Sequence, residues 1–124
     1  MNTVFRLLLL AFVFTFRPAS AQEVVVGTGV VCDTAEQIKA VVTESFQTRA
    51  LEPALQVVNG DTMACGLATV AYIRGATVGT IQTPDGLADI VAIMVVGGRA
   101  ADGQFHAVRP VPQFTIFAAK GRDV

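Results

Sequence analysis

Cys32 and Cys65 are the only cysteines in the 124 residues, and the stretch ahead of them sets the chemistry they meet. MNTVFRLLLLAFVFTFRPASA has the build of a secretory signal peptide. Arg6 gives a positive n-region, Leu7 to Phe16 an apolar run, and Ala19-Ser20-Ala21 the small-x-small pattern that signal peptidase reads. The run is half of the roughly twenty residues a helix needs to cross a bilayer, and Arg17-Pro18 ends it. Cleavage after Ala21 is expected, with no stable membrane insertion afterwards and a periplasmic or secreted mature chain. In such a compartment an even pair of cysteines in a small domain reads first as one disulfide. Closing a loop of about 34 residues, it would contribute roughly 3–4 kcal/mol in the chain-entropy account. A redox pair would more commonly show C-x-x-C spacing, and a zinc site would need two further ligands where His106 alone is on offer. Lipid attachment is disfavoured by the bulky Val31 before Cys32.

Residues 22–124 make one small domain, with room for a single core and none for a second domain. They carry seven basic and ten acidic side chains, a net charge of about −3, with the cations scattered singly. That distribution lacks the basic face a nucleic-acid binder needs, and no amphipathic helix has the cationic side that anionic membranes attract.

The order of local signals is helix, helix, then strands. QEVVVGTGVV reads as an extended arm entering a strand near Val30. Asp33 as N-cap and Glu36 three residues on suggest a capping box opening a helix over residues 34–47, with Ile38, Val41, Val42 and Phe46 on its apolar stripe. Pro53 suits the first turn of a second helix over Leu51 to Val58, stopped by Asn59-Gly60. CGLATVAYIRG is apolar on both strand faces, as an interior strand would be. TVGTIQ and LADIVAIMVV flank Thr83-Pro84-Asp85-Gly86, a strong hairpin signal, and Ala101-Asp102-Gly103 marks a second turn. Arg109-Pro110-Val111-Pro112 predicts a stiff polyproline connector between Gln104–Val108 and the last strand, QFTIFAA. The tail from Lys120 is expected to fray.

The class that follows is α+β: one or two N-terminal helices packed on a curved antiparallel sheet of four or five strands, held by one disulfide. A small SH3-like barrel is a variant of that picture. Val41, Phe46, Leu55, Leu67, Ile73, Ile90, Ile93, Val95, Phe114 and Ile116 are the expected core.

Chemistry-bearing patterns are sparse. Gly27-Thr28-Gly29 fails as a dinucleotide loop, because Cys32 holds the third glycine position and no βαβ pattern follows. Serine or thiol catalysis has little material: His106 is the only histidine, Ser45 the only serine after the leader, and both cysteines are expected to be oxidised. Asp85 with Asp89, or Glu36 with Glu44, would be the carboxylate pairs of a hydrolase, yet each has a simpler turn, strand or cap role. No calcium-loop run is present, and no catalytic residue, metal or cofactor is expected. The residues suited to a recognition surface are Tyr72, Arg74, Arg99, Phe105, His106 and Arg109, with Phe114 beside them. Arg74 and Arg99 are expected at strand ends, and aromatic residues at strand spacing serve more often as core. An exposed edge strand would offer a second mode, capture of an extended peptide by strand addition.

The segments VVCDTAEQIKAVV, ACGLATVAYIRG and VRPVPQFTIF together resemble a group of small exported two-cysteine proteins of alphaproteobacteria to which no activity is attached. The resemblance covers nearly all the mature chain. It implies a signal peptide, the frame at Cys32 and Cys65, and a periplasmic setting, with no catalytic residue to carry over. The expected function is a non-enzymatic binding or accessory role in the cell envelope, toward a protein, peptide or glycan. The alternatives are a small carboxylate-dependent hydrolase and a structural or envelope-stress protein acting through oligomerisation.

Overall fold

The computed structural model describes residues 23–118; the leader and the tail from residue 119 lie outside them. Four antiparallel strands, β1 (Val24–Cys32), β2 (Cys65–Thr83), β3 (Gly86–Arg99) and β4 (Phe105–Ala118), close into a barrel in that order. Two helices, α1 (Ala35–Thr48) and α2 (Leu51–Asn59), fill the excursion between β1 and β2. This is the expected α+β class with four strands and one disulfide.

The disulfide sits at the root of that excursion. Cys32 and Cys65 face each other across the β1/β2 ladder, with their Cα atoms 4.1 Å apart, so the bond staples both ends of the helical insertion at one point. Asn59, expected only to stop α2, adds a second tie. Its side-chain amide donates to the Cys65 carbonyl at 2.9 Å, and its Oδ1 accepts from the Cys65 N–H at 2.8 Å.

The helix start differs from expectation by one residue. The Asp33 N–H donates to the Ala64 carbonyl, so the chain is still in its strand ladder there and cannot yet turn. Thr34 is the N-cap instead, forming a capping box with Gln37. The Asp33 carboxylate accepts from Gln113 Nε2 at 2.9 Å, tying β1's end to β4.

Three further expectations change. The valine-glycine arm is strand throughout: Val24 to Cys32 pair with Ile73 to Cys65 without a register shift. CGLATVAYIRG and TVGTIQ are one 19-residue strand, bent by irregularities between Arg74 and Gly79, which places Arg74 in mid-strand. At Gly75 a Cβ would lie 2.8 Å from the Ala92 carbonyl oxygen, so the bend brings backbone against backbone. The proline segment also lies within β4. Its accommodation is local: Val95 pairs with Val111 and Gly97 with Ala107, which leaves 108–110 unpaired as a bulge where Pro110 has no ladder bond to supply.

Two clusters hold the domain. One joins Ile38, Val41 and Ala54 of the helices to Cys32, Cys65 and Ile90 of the strands, with Leu55, Phe114 and Ile116 partly buried against it. The other gathers Val91, Ile93 and Val95 of β3 with Val70, Tyr72 and Phe117. Neighbouring residues Ile90 and Val91, both fully buried, point to opposite faces, so β3 is covered on both sides. Leu67 and Phe46, expected in the core, are 61% and 40% exposed. Leu67 belongs to neither buried cluster although Val30 opposite it packs on the first, and Phe46 borders an open recess with Leu51 and Leu87. Ile73 is half-buried.

Candidate functional site

The closure of the barrel is uneven. β1 pairs with β2 along its whole length but with β4 only at Cys32↔Phe114 among the described residues. One residue further, the buried Thr115 Oγ1 donates to the Val30 carbonyl at 2.6 Å in place of a ladder bond. Beyond that point the backbone edge of β1 has no described partner strand.

β1 carries neither a charge nor a proline between Val24 and Cys32, the features that ordinarily blunt a sheet edge. Behind the seam lies a cavity of about 140 Å3, lined among others by Gly27, Gly29, Val70, Tyr72, Ile93 and Phe117. The two glycines make the space: a Cβ on Gly27 would meet the Tyr72 ring at 3.4 Å, and one on Gly29 would meet Thr115 Oγ1 at 3.9 Å.

The six residues expected to form one surface fall into two groups. Tyr72 and Arg74 stand at the seam, joined by Phe117. The Arg74 guanidinium lies 4.4 Å from the Phe117 ring centroid, and the Tyr72 and Phe117 rings are 6.3 Å apart. Arg99, Phe105, His106 and Arg109 lie on the β3–β4 hairpin, whose residues 99–112 are all exposed. Arg99 stacks over Phe105 at 5.1 Å. Arg74 pairs with Ile93, six residues along β3 from Arg99, a separation of roughly 20 Å at strand rise.

His106 Nε2 lies 3.0 Å from Asp102 Oδ2 on the hairpin tip, both side chains more than half exposed. The Gln104 backbone N–H first, and His106 second, hold the Asp102 carboxyl below its usual range. Ser45 Oγ donates to the Val42 carbonyl within α1, on a different element from His106. Among the carboxylates offered as pairs, Asp85 is in the β2–β3 turn and Asp89 is half-buried on β3 opposite Phe117. No group of three or more His, Cys, Asp or Glu able to hold a metal occurs among the described residues.

Two contributors escaped the sequence reading. Phe117 was legible only as one apolar residue in QFTIFAA, and its contact with Arg74 depends on β2/β3/β4 register. Asp102 in Ala101-Asp102-Gly103 reads as turn chemistry, and its spacing of four from His106 is the available signal. Arg109, in the β4 bulge, borders a separate open recess with Met63, which is 94% exposed.

Comparison of the chain with protein-family models, curated proteins and solved structures yields no match. No helix among the described residues is long and apolar enough to cross a membrane, and the disulfide is compatible with an exported protein.

Proposed function

We propose that the chain is an exported binding domain of the cell envelope that takes up an extended polypeptide segment at the β1/β4 seam. Its leader is removed after Ala21, and it works in the periplasm or outside the cell. The observation that carries the reading is the uncharged, proline-free edge of β1 beside a cavity built by Gly27 and Gly29. An added strand forms main-chain hydrogen bonds to that edge. Every second side chain then turns toward the cavity, where a small aliphatic group fits against Tyr72 and Phe117. Arg74 stands at the rim, its guanidinium over the Phe117 ring.

The test is selection of linear peptides from a displayed library on the oxidised mature protein, with the Gly29→Val variant as counter-target. The added Cβ meets only an ordinary contact, 3.9 Å from Thr115 Oγ1, the valine methyls project into the cavity, and a cooperative thermal melt of the variant checks that the domain still folds. The reading predicts peptides rich in β-branched residues, without internal proline, that lose at least tenfold in affinity for Gly29→Val. Peptides that bind both proteins equally, or no enrichment, would overturn it.

A further inference from the structure

Hydrogen bonds converge on Asn59, at the point where α2 hands the chain back to the sheet. Its side chain is bound to both backbone groups of Cys65, Nδ2 donating to the carbonyl at 2.9 Å and Oδ1 accepting from the N–H at 2.8 Å. Its own carbonyl accepts twice from Thr62, from the backbone N–H and from Oγ1, both at 2.8 Å. The next residue is held as well, since the Gly60 N–H donates to the Gln56 carbonyl at 3.0 Å.

Both residue types follow from this geometry. A side chain that donates to one backbone group of Cys65 and accepts from the other must be an amide; a carboxylate accepts alone and would face the Cys65 carbonyl with no proton to offer. Glycine is needed at position 60 because the backbone takes φ 58° and ψ −117° there, although a Cβ would meet nothing within 4 Å. The pair so produced, Asn-Gly, is the dipeptide that loses its side-chain amide most readily in an unstructured chain, because no side chain on the second residue shields its nitrogen. Asn59 is also the only asparagine beyond Asn2.

We infer that Asn59 is a deamidation site, closed by its tie to Cys65 and opened when α2 leaves β2. In the reaction the Gly60 nitrogen attacks Asn59 Cγ as its proton is removed. A new C–N bond closes a succinimide ring, the bond from Cγ to the side-chain nitrogen breaks, and ammonia leaves with a proton. Water then opens the ring at either carbonyl and leaves aspartate or isoaspartate. In the closed state neither reacting group is free, because the Asn59 side chain is held by Cys65 and the Gly60 N–H by Gln56. The disulfide joins the same Cys65 to Cys32, so the bond that fixes the root of the helical insertion also guards the site. Neither product restores the tie. Aspartate lacks the donor to the Cys65 carbonyl, and isoaspartate adds a carbon to the main chain at the end of α2. Residue 59 therefore keeps a lasting record of each opening that reacts. The inference is independent of peptide uptake at the seam.

The experiment follows the exchange of ammonia for water at residue 59 by mass spectrometry, with isoaspartate mapped on the peptide that contains it, while the mature protein is incubated at neutral pH and physiological temperature. Deamidation of the oxidised protein is expected to be about a hundredfold slower than that of the same chain unfolded in urea. Replacing Cys32 and Cys65 together by alanine is expected to speed it about tenfold. If that double variant loses its cooperative melt, Thr62→Val decides. Loss of the Oγ1 donor to the Asn59 carbonyl is expected to speed deamidation about threefold. Thr48→Val, which removes a hydroxyl bonded to the Glu44 and Ala50 carbonyls at the end of α1, leaves the rate unchanged. Equal rates in the oxidised and the unfolded chain, a folded double variant no faster than the oxidised protein, or the same rate for Thr62→Val and Thr48→Val would each overturn the inference.

Discussion

Around the disulfide, Cys32, Cys65, Ile38, Val41, Ala54 and Ile90 are buried within a few side-chain diameters of one another. On the β3–β4 hairpin, which turns at the same end of the barrel, residues 99–112 are all exposed, Phe105, Val108 and Val111 among them. Both regions belong to the same sheet, so strand formation alone does not determine where the core lies. Coverage by the helices does, and the disulfide holds those helices to the sheet at their root. The β1 edge is anchored at Cys32 and has no described partner strand on its β4 side toward Val24.

The comparison breaks most easily at its anchor. Replacing both cysteines by alanine is expected to cost about 4 kcal/mol, read by urea denaturation of the oxidised protein against the double variant. A loss under 1 kcal/mol would mean that the helical insertion does not depend on its staple. Next, Ile38→Ala should cost about 3 kcal/mol, within the usual 2–5 for a fully buried aliphatic, whereas Val111→Ala on the hairpin should stay within about 0.5. Similar midpoint shifts for the two would remove the distinction between the covered and the open region.

Gly75→Ala sharpens the contrast, because an open region can still contain a tight point. With a Cβ placed 2.8 Å from the Ala92 carbonyl, a loss of about 1–3 kcal/mol is expected. Gly98→Ala, which meets nothing within 4 Å, should be near neutral, and thermal melts separate the two. Thr34→Ala removes the capping box and should cost about 1 kcal/mol.

The smallest effect is at the hairpin tip. Asp102 ionises more readily folded than unfolded, so its contribution is present above the ordinary aspartate range and fades as pH falls below about 4. Protection of the Gln104 amide, whose N–H the carboxylate accepts, against hydrogen exchange should fall in acid once the rate is divided by the intrinsic rate at each pH, and Asp102→Ala should remove that change in protection.

Local signals made much of the fold legible. The period of Ile38, Val41 and Val42 marked α1, Pro53 and Asn59-Gly60 bounded α2, and Pro84-Asp85-Gly86 marked the hairpin in which Gly86 takes φ 124°. Cysteine arithmetic pointed to the bond at the insertion's root. What escaped depends on partners distant in sequence. Gly27 and Gly29 look like flexible linker residues until Val70 and Ala68 pair with them. Pro110 looks like a strand breaker until a bulge removes the need for its missing donor. The candidate surface divided for the same reason: register sets Arg74 opposite Ile93 in mid-sheet, six residues along β3 from Arg99, a separation that the strand pattern alone does not show.

Residue-resolved hydrogen exchange along β1 tests most directly the edge that lacks a described partner strand, because successive strand amides point to opposite edges. The open seam predicts alternation over Val24–Gly29 in the free protein: amides directed at β2 exchange slowly, and those directed at the seam exchange quickly until a selected peptide binds. Uniform slow exchange along β1 without peptide would contradict the account, since the edge would then already be paired.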